Sequence, residues 1–163
     1  MGQDFSARPN TVPWPPIIYL AVALAALGMG AAWPLASPPP TSLRWLRMAG
    51  AVIAGTGIAL DVAAMLAMRR ARTNILPHRG ADRLVTDGAF ALTRNPIYVG
   101  NTLLLAGVGL ATPSAWMVAG ALLAALLVDR LAIRREERHL SARFGQAYAD
   151  YAARVPRWIG SRR

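Results

Sequence analysis

The sequence predicts an all-α integral membrane protein of about four transmembrane helices, with a C-terminal amphipathic helix or lid at the cytoplasmic face. Three observations carry that prediction. Hydrophobic residues make up 55% of the 163 and mean hydropathy is +0.33, high for a soluble domain of this size. The apolar residues gather into long, nearly uncharged runs, the pattern of membrane spans. Fifteen of the 18 basic residues fall between Arg69 and Arg163 against six acids, in clusters that flank apolar runs, as the positive-inside rule and anionic headgroups favour.

The composition removes several chemistries. There is no cysteine, so disulfides, thiol catalysis and thiolate metal sites are excluded. Every basic residue is arginine, which excludes a Schiff-base or P-loop lysine. The two histidines, His78 and His139, are too few for a metal site without carboxylate help, and no metal is expected. A net charge of +10 is compatible with nucleic acid, but its placement beside apolar segments points to the lipid bilayer as the partner instead.

Three segments follow in order. Residues 1–16 are polar and then proline-rich, and read as extended along the surface. Residues 17–68 hold two spans. Ile17–Leu35 carries no charge, with Trp14 and Tyr19 as interfacial aromatics at its start. A cleaved signal peptide is the competing reading, disfavoured by a nearly neutral N-terminus and a long apolar run. Ser37-Pro38-Pro39-Pro40-Thr41-Ser42 reads as a stiff, non-helical connection. Met48–Met68 is the second span, rich in small residues that let helices approach closely. Asp61 lies inside it, where a carboxylate is expensive; both structural pairing and contact with a polar ligand fit.

Residues 69–163 form the third segment. The arginine-rich stretch Arg69–Arg94 reads as an ordered loop with turns at Pro77, Gly80 and Gly88. Pro96 suits the first position of a helix, which leaves Arg94 and Asn95 at the membrane surface and Tyr98 one turn inside. Ile97–Ala111 and Ala115–Val128 form a hairpin about Thr112-Pro113-Ser114, each arm short for a full span. Beyond it, Leu140, Phe144, Tyr148, Tyr151 and Val155 make one stripe of an amphipathic helix, which Gly145 weakens without breaking. Arginine placement puts the 69–94 loop and both termini in the cytoplasm and the 112–114 turn outside, with Arg44 and Arg47 as exceptions. The location expected is the inner (cytoplasmic) membrane.

Leu84-Val85-Thr86-Asp87-Gly88-Ala89-Phe90, Arg94-Asn95-Pro96-Ile97-Tyr98-Val99-Gly100, Glu136-Glu137, Phe144-Gly145 and Tyr148 to Pro156 occur in that order. Together they resemble the isoprenylcysteine carboxyl methyltransferase family in its short bacterial form, akin to phospholipid N-methyltransferases. The resemblance covers roughly residues 75–160. It implies a membrane-embedded methyltransferase that takes its methyl group from S-adenosylmethionine and gives it to a lipophilic acceptor arriving from the lipid. By the same resemblance, Pro77, His78, Leu84, Val85 and Gly88 line the cofactor site. Asn95 and Tyr98 contact the cofactor from the helix start, and Glu136 and Glu137 from the end of the last span. Arg94 and Arg154 match arginines at the reacting end. The family commonly has histidine where this chain has Asn95, which hydrogen-bonds but does not titrate near neutral pH.

The residue types suit that chemistry. An ionised carboxylate needs no strong base; it needs alignment and exclusion of water. A guanidinium holds a carboxylate by two parallel hydrogen bonds, which favours a carboxylate acceptor over an amine. Plainer roles stand beside these. Arg94 also fits an interfacial anchor, Tyr98 an aromatic-belt residue, and Glu136 and Glu137 partners for Arg130, Arg134 or Arg138. Arg157, Arg162 and Arg163 read as solvated or lipid-facing, and His139 as surface. Two other functions stay open: an NADPH-dependent sterol- or enone-type reductase, and a small transporter or non-enzymatic membrane subunit coupled through Asp61.

Overall fold

The computed structural model describes residues 14–35, 39–73 and 82–160, and among them all regular structure is helical. Pro77, His78, Arg162 and Arg163 lie outside the described residues, as does most of the 1–16 segment. Helix α1 (Trp14–Ala32) starts sooner than its apolar run. Pro15 and Pro16 fall in its first turn, where no backbone N–H is needed, so this end of the N-terminal segment is helical and not extended.

Helix α2 (Pro40–Arg70) runs for 31 residues, about 46 Å at 1.5 Å per residue. It overrides the expected non-helical connection: Pro40 takes the first helical position, Thr41 and Ser42 are helical, and the Ser42 hydroxyl donates back to the Pro39 carbonyl at 2.8 Å. After Arg70 the chain turns, and a short 3₁₀ turn (Gly88–Ala91) precedes α3 (Pro96–Ala111). Ser114 caps α4 (Ala115–Val128), its hydroxyl accepting the Met117 N–H at 3.3 Å.

The second arm of the hairpin is not short. A π-helical segment (Asp129–Ile133) carries α4 without interruption into α5 (Arg134–Phe144). The expected continuous C-terminal helix does break, at Gly145, whose φ of +51° favours glycine; α6 (Gln146–Arg154) follows. Its stripe survives the corner. Tyr148, Tyr151 and Val155 form one buried cluster, with Leu84, Phe90, Leu140 and Phe144 packed against it.

Among the described residues, three helical stretches are long and apolar enough to cross a membrane: Trp14–Ala32, Thr41–Arg70 and Ala115–Phe144. With 16 residues, α3 reaches about 24 Å, short of the roughly 30 Å hydrocarbon core. The chain is a multi-pass membrane protein. Large apolar side chains such as Leu20, Leu24, Val52, Ile58, Leu122 and Leu126 face outward.

The packing order is α2, α3, α4, α1. The α2–α3 seam is the closest, because glycine meets glycine. A methyl group at Gly57 would come within 2.5 Å of the Gly100 carbonyl oxygen, and one at Gly107 within 2.6 Å of that of Gly50. The seven-residue spacing on both helices keeps that contact in antiparallel register. In hydrocarbon such contact stands in for a hydrophobic driving force. Asp61 lies on this seam over Gly100, its Oδ1 buried without a partner. On the other side, the Tyr19 hydroxyl of α1 donates to the Tyr98 carbonyl at 2.9 Å and lies 2.7 Å from the Thr102 hydroxyl. The start of α3 is thus held from two directions.

Candidate active site

The site forms where the start of α3, the π segment with α5, and the chain after α6 converge. Val155 is extended, with φ −113° and ψ 129°, and Pro156 carries no N–H to continue the helix. The chain therefore leaves α6 as a strap and crosses the start of α3. Arg94 donates its backbone N–H to the Pro156 carbonyl at 2.9 Å. The Thr93 hydroxyl and the Asn95 side-chain amide both donate to the Arg157 carbonyl, at 2.8 and 3.1 Å. Thr93 is fully buried and Asn95 nearly so. Asn95 is thus spent on seating the strap, a task that needs no proton transfer.

The strap delivers a guanidinium to two carboxylates. Glu137 Oε1 accepts from Arg157 Nε at 3.0 Å and forms an ion pair with Arg94 Nη2 at 3.2 Å, and Glu137 Oε2 accepts from Arg157 Nη2 at 2.5 Å. Asp129, in the π segment, accepts through Oδ1 from Arg157 Nη1 at 3.4 Å and from Trp158 Nε1 at 3.3 Å. Its Oδ2 accepts from Arg134 Nε at 3.1 Å. Charges therefore alternate along Arg134, Asp129, Arg157, Glu137 and Arg94. The bidentate Arg157–Glu137 pair is the strongest unit in this chain, and π segments recur at functional sites.

Arg94 is incompletely used. Its Nη1 reaches the Tyr148 hydroxyl only at a long 3.5 Å, and its Nε is buried with no partner. A buried unpaired donor costs about 1–3 kcal/mol, and this N–H is left open to an acceptor. The Tyr98 hydroxyl donates to Glu136 Oε1 at 2.7 Å, joining the first turn of α3 to the first turn of α5. Burial pushes the Tyr148 phenol up to about 12, Glu137 adding to the shift and Arg94 opposing it. It stays a neutral hydroxyl. The Arg157 guanidinium is raised above its ordinary value, first by its hydrogen bond to Glu137, and stays charged.

Of the residues expected at the site, Arg94, Asn95, Tyr98, Glu136 and Glu137 are brought together. Leu84 packs on the Tyr148–Tyr151 cluster and Val85 is buried. Gly88, with φ +58°, borders a separate cleft of about 460 Å³ against Ala63, Leu66, Ala67 and Arg70 of α2. The Phe90 carbonyl, in the same 3₁₀ turn, accepts the Tyr151 hydroxyl at 2.7 Å. Arg154 is not in the cluster: it is exposed, and its Nε donates to the Asp150 carbonyl one turn back at 3.2 Å.

Arg157 corrects the expectation of a solvated or lipid-facing arginine, because the strap turns it inward. His139 corrects the surface reading: it is 1% exposed, one turn beyond Glu136 on α5. Asp129, Trp158 and Thr93 also belong to the site, although none of them stands in a motif that marks it in the sequence. A signal for Arg157 and Trp158 was present, since a basic–aromatic pair just after Pro156 falls outside the helical period and must point elsewhere.

Comparison with known proteins places the chain in a family. Residues 45–147 match the family model described as phospholipid methyltransferase. Two curated relatives are similar over 78 residues, or 48% of this chain: the cobalt-zinc-cadmium resistance protein CzcN of Cupriavidus metallidurans, 40% identical, and the nickel-cobalt-cadmium resistance protein NccN of Alcaligenes xylosoxydans xylosoxydans, 37% identical. The match spans only 36% of the length of each relative. The family match covers well over half of the chain and includes Arg94, Tyr98, Asp129, Glu136 and Glu137. The chain belongs to the phospholipid methyltransferase family, which includes the isoprenylcysteine carboxyl methyltransferases.

Proposed function

We infer that this membrane methyltransferase takes its methyl group from S-adenosylmethionine and transfers it to a carboxylate on a lipophilic acceptor, at the inner membrane with the site facing the cytoplasm. The observation that carries the reading is Arg94: a guanidinium with one buried, unpartnered N–H, held against Glu137 and Tyr148 at the start of α3.

The residues present fit the donor. Glu137 and Glu136 are carboxylates that suit an ammonium group, and the Tyr98 and Tyr148 rings suit a sulfonium. S-adenosylmethionine, when bound, supplies an electrophilic methyl group on sulfur. Arg94 then receives the acceptor carboxylate through its free Nε–H and a neighbouring Nη, holding one oxygen toward the donor. The acceptor oxygen would already be an anion, so no residue would have to remove a proton, and the sulfur would keep the electron pair of the broken S–CH3 bond and leave as the neutral thioether. The strap over the start of α3 keeps water from the reacting atoms. An acceptor with its head at Arg94 and its chain between the helices arrives through the lipid. Arginine would suit a protonated amine poorly, which is why the carboxylate is preferred.

The test is methyl transfer by the protein in nanodiscs, with S-adenosylmethionine tritiated at the methyl group. Long-chain fatty acids and an S-prenylated cysteine serve as carboxylate acceptors, phosphatidylethanolamine as the amine. Base-labile label in the acids supports the reading. Label confined to the amine keeps the methyltransferase and overturns the carboxylate. Failure to bind S-adenosylhomocysteine by calorimetry, with binding of NADPH, overturns both in favour of a reductase.

A further inference from the structure

We propose that Arg157 is a positioning residue for the transfer: it holds Glu137 so that this carboxylate meets Arg94 through one oxygen only and leaves Arg94 Nε free for the acceptor. The kinetic part rests on the methyltransferase reading; the geometric part does not.

The argument starts from the preferred geometry of an arginine–carboxylate pair. Left to themselves, the two meet fork to fork, with both oxygens on two parallel N–H groups. Glu137 is within reach of Arg94 and would be expected to pair with it that way, covering Nε. It does not. Its Oε2 is committed to Arg157, and its Oε1 is shared between Arg157 Nε and Arg94 Nη2. The bidentate geometry has gone to Arg157, and Arg94 Nε is left buried without a partner. Arg157 is anchored in turn by Asp129, which is itself held by Arg134 and Trp158. Asp129 opens the π segment, which leads directly into the turn of α5 that carries Glu137. The carboxylate that anchors Arg157 and the one that Arg157 holds are thus borne on one continuous helix.

The seating of the strap does not depend on this side chain. Thr93 and Asn95 hold the Arg157 carbonyl, and Arg94 holds that of Pro156. Replacing the Arg157 side chain removes the clasp and keeps the docking.

The experiment compares wild type, Arg157→Ala and Arg157→Lys in nanodiscs by two readouts. The first is the ¹⁵N–¹H signal of the Arg94 Nε–H group, assigned by its loss in Arg94→Lys. In Arg157→Ala, Glu137 closes on Arg94 fork to fork, and this signal moves downfield to the position of a carboxylate-bound guanidinium. In Arg157→Lys, a single ammonium holds Glu137 less well, and the shift is smaller. The second readout is methyl transfer to a long-chain fatty acid. Arg157→Ala loses about 10²-fold in kcat, as misplacement of a reacting group by about 1 Å does. The lysine variant recovers part of the loss, as an ammonium retains the charge but not the fork. An unmoved Arg94 signal in both variants overturns the proposal, and so does wild-type kcat in a variant whose signal has moved. If the wild type transfers no methyl group, the methyltransferase reading falls, and the spectroscopic arm still decides the clasp.

Discussion

Two glycines in α2, two residues apart, give a direct test of the α2–α3 seam. A Cβ at Gly57 would lie 2.5 Å from the Gly100 carbonyl oxygen, 2.8 Å from the Leu104 nitrogen and 3.2 Å from Leu103 Cβ. Ordinary contact begins near 3.4 Å, so Gly57→Ala leaves this contact short by about 0.9 Å and the backbones must shift to relieve it. The nearest atoms are backbone and cannot rotate away. A Cβ at Gly55 would meet nothing within 4 Å. Both substitutions gain the same helix preference, about 0.5–1 kcal/mol for alanine over glycine, so the difference between them isolates the seam. Overpacking of this kind costs about 1–3 kcal/mol, and Gly57→Ala is expected to be less stable than Gly55→Ala by that amount. The assay is reversible unfolding in mixed micelles of rising dodecyl sulfate fraction, followed by helical circular dichroism. Coincident unfolding curves for the two variants would refute the close-packed seam, and with it the placement of Asp61 over Gly100.

Other outcomes follow from the same structure. Glu137→Gln keeps the shape but gives each guanidinium at most one neutral acceptor. With Arg157 one-third exposed, the loss of charge-assisted bonds should cost about 2–3 kcal/mol in the same unfolding assay, and a cost below about 0.5 kcal/mol would contradict the ion-pair chain. Gly145→Ala forces a φ of +51° on a residue with a Cβ and should cost about 1–3 kcal/mol, with faster amide exchange across Gln146–Arg154 as its mark. The Tyr148 phenol is raised to about 12 by burial. Its contribution to stability is therefore complete below the ordinary value of 10.0 and lost as pH rises toward 12. Tyr148→Phe should flatten that part of the stability profile, and an unchanged slope would mean that the phenol is solvated. Thr93→Val removes a buried donor to the Arg157 carbonyl; a loss of about 1–2 kcal/mol with weakened strap docking, read from Trp158 emission, is expected.

The sequence by itself determined the class of the protein and the part of its polar core that lies at the start of α3 and on α5. Long uncharged runs can form only helices in lipid, because every backbone polar group must be satisfied within the segment. Pro96 had to begin a helix, which put Arg94, Asn95 and Tyr98 together before any packing was known. The stripe from Leu140 to Val155 was legible because burial follows the helical period. What the sequence left undecided depends on contacts between distant segments. Pro40, read in the sequence as part of a stiff, non-helical connection, begins α2, because proline also suits a first helical position. The 129–133 stretch shows no propensity for a π turn; that turn appears where α4 must stay packed while α5 turns its glutamates inward. Arg154 and Arg157 look alike in a run of C-terminal arginines. Only the extended backbone at Val155–Pro156 turns Arg157 toward Glu137 and leaves Arg154 in solvent, because a side chain's direction there is set by a backbone turn and by the carboxylates 20 to 28 residues away that receive it.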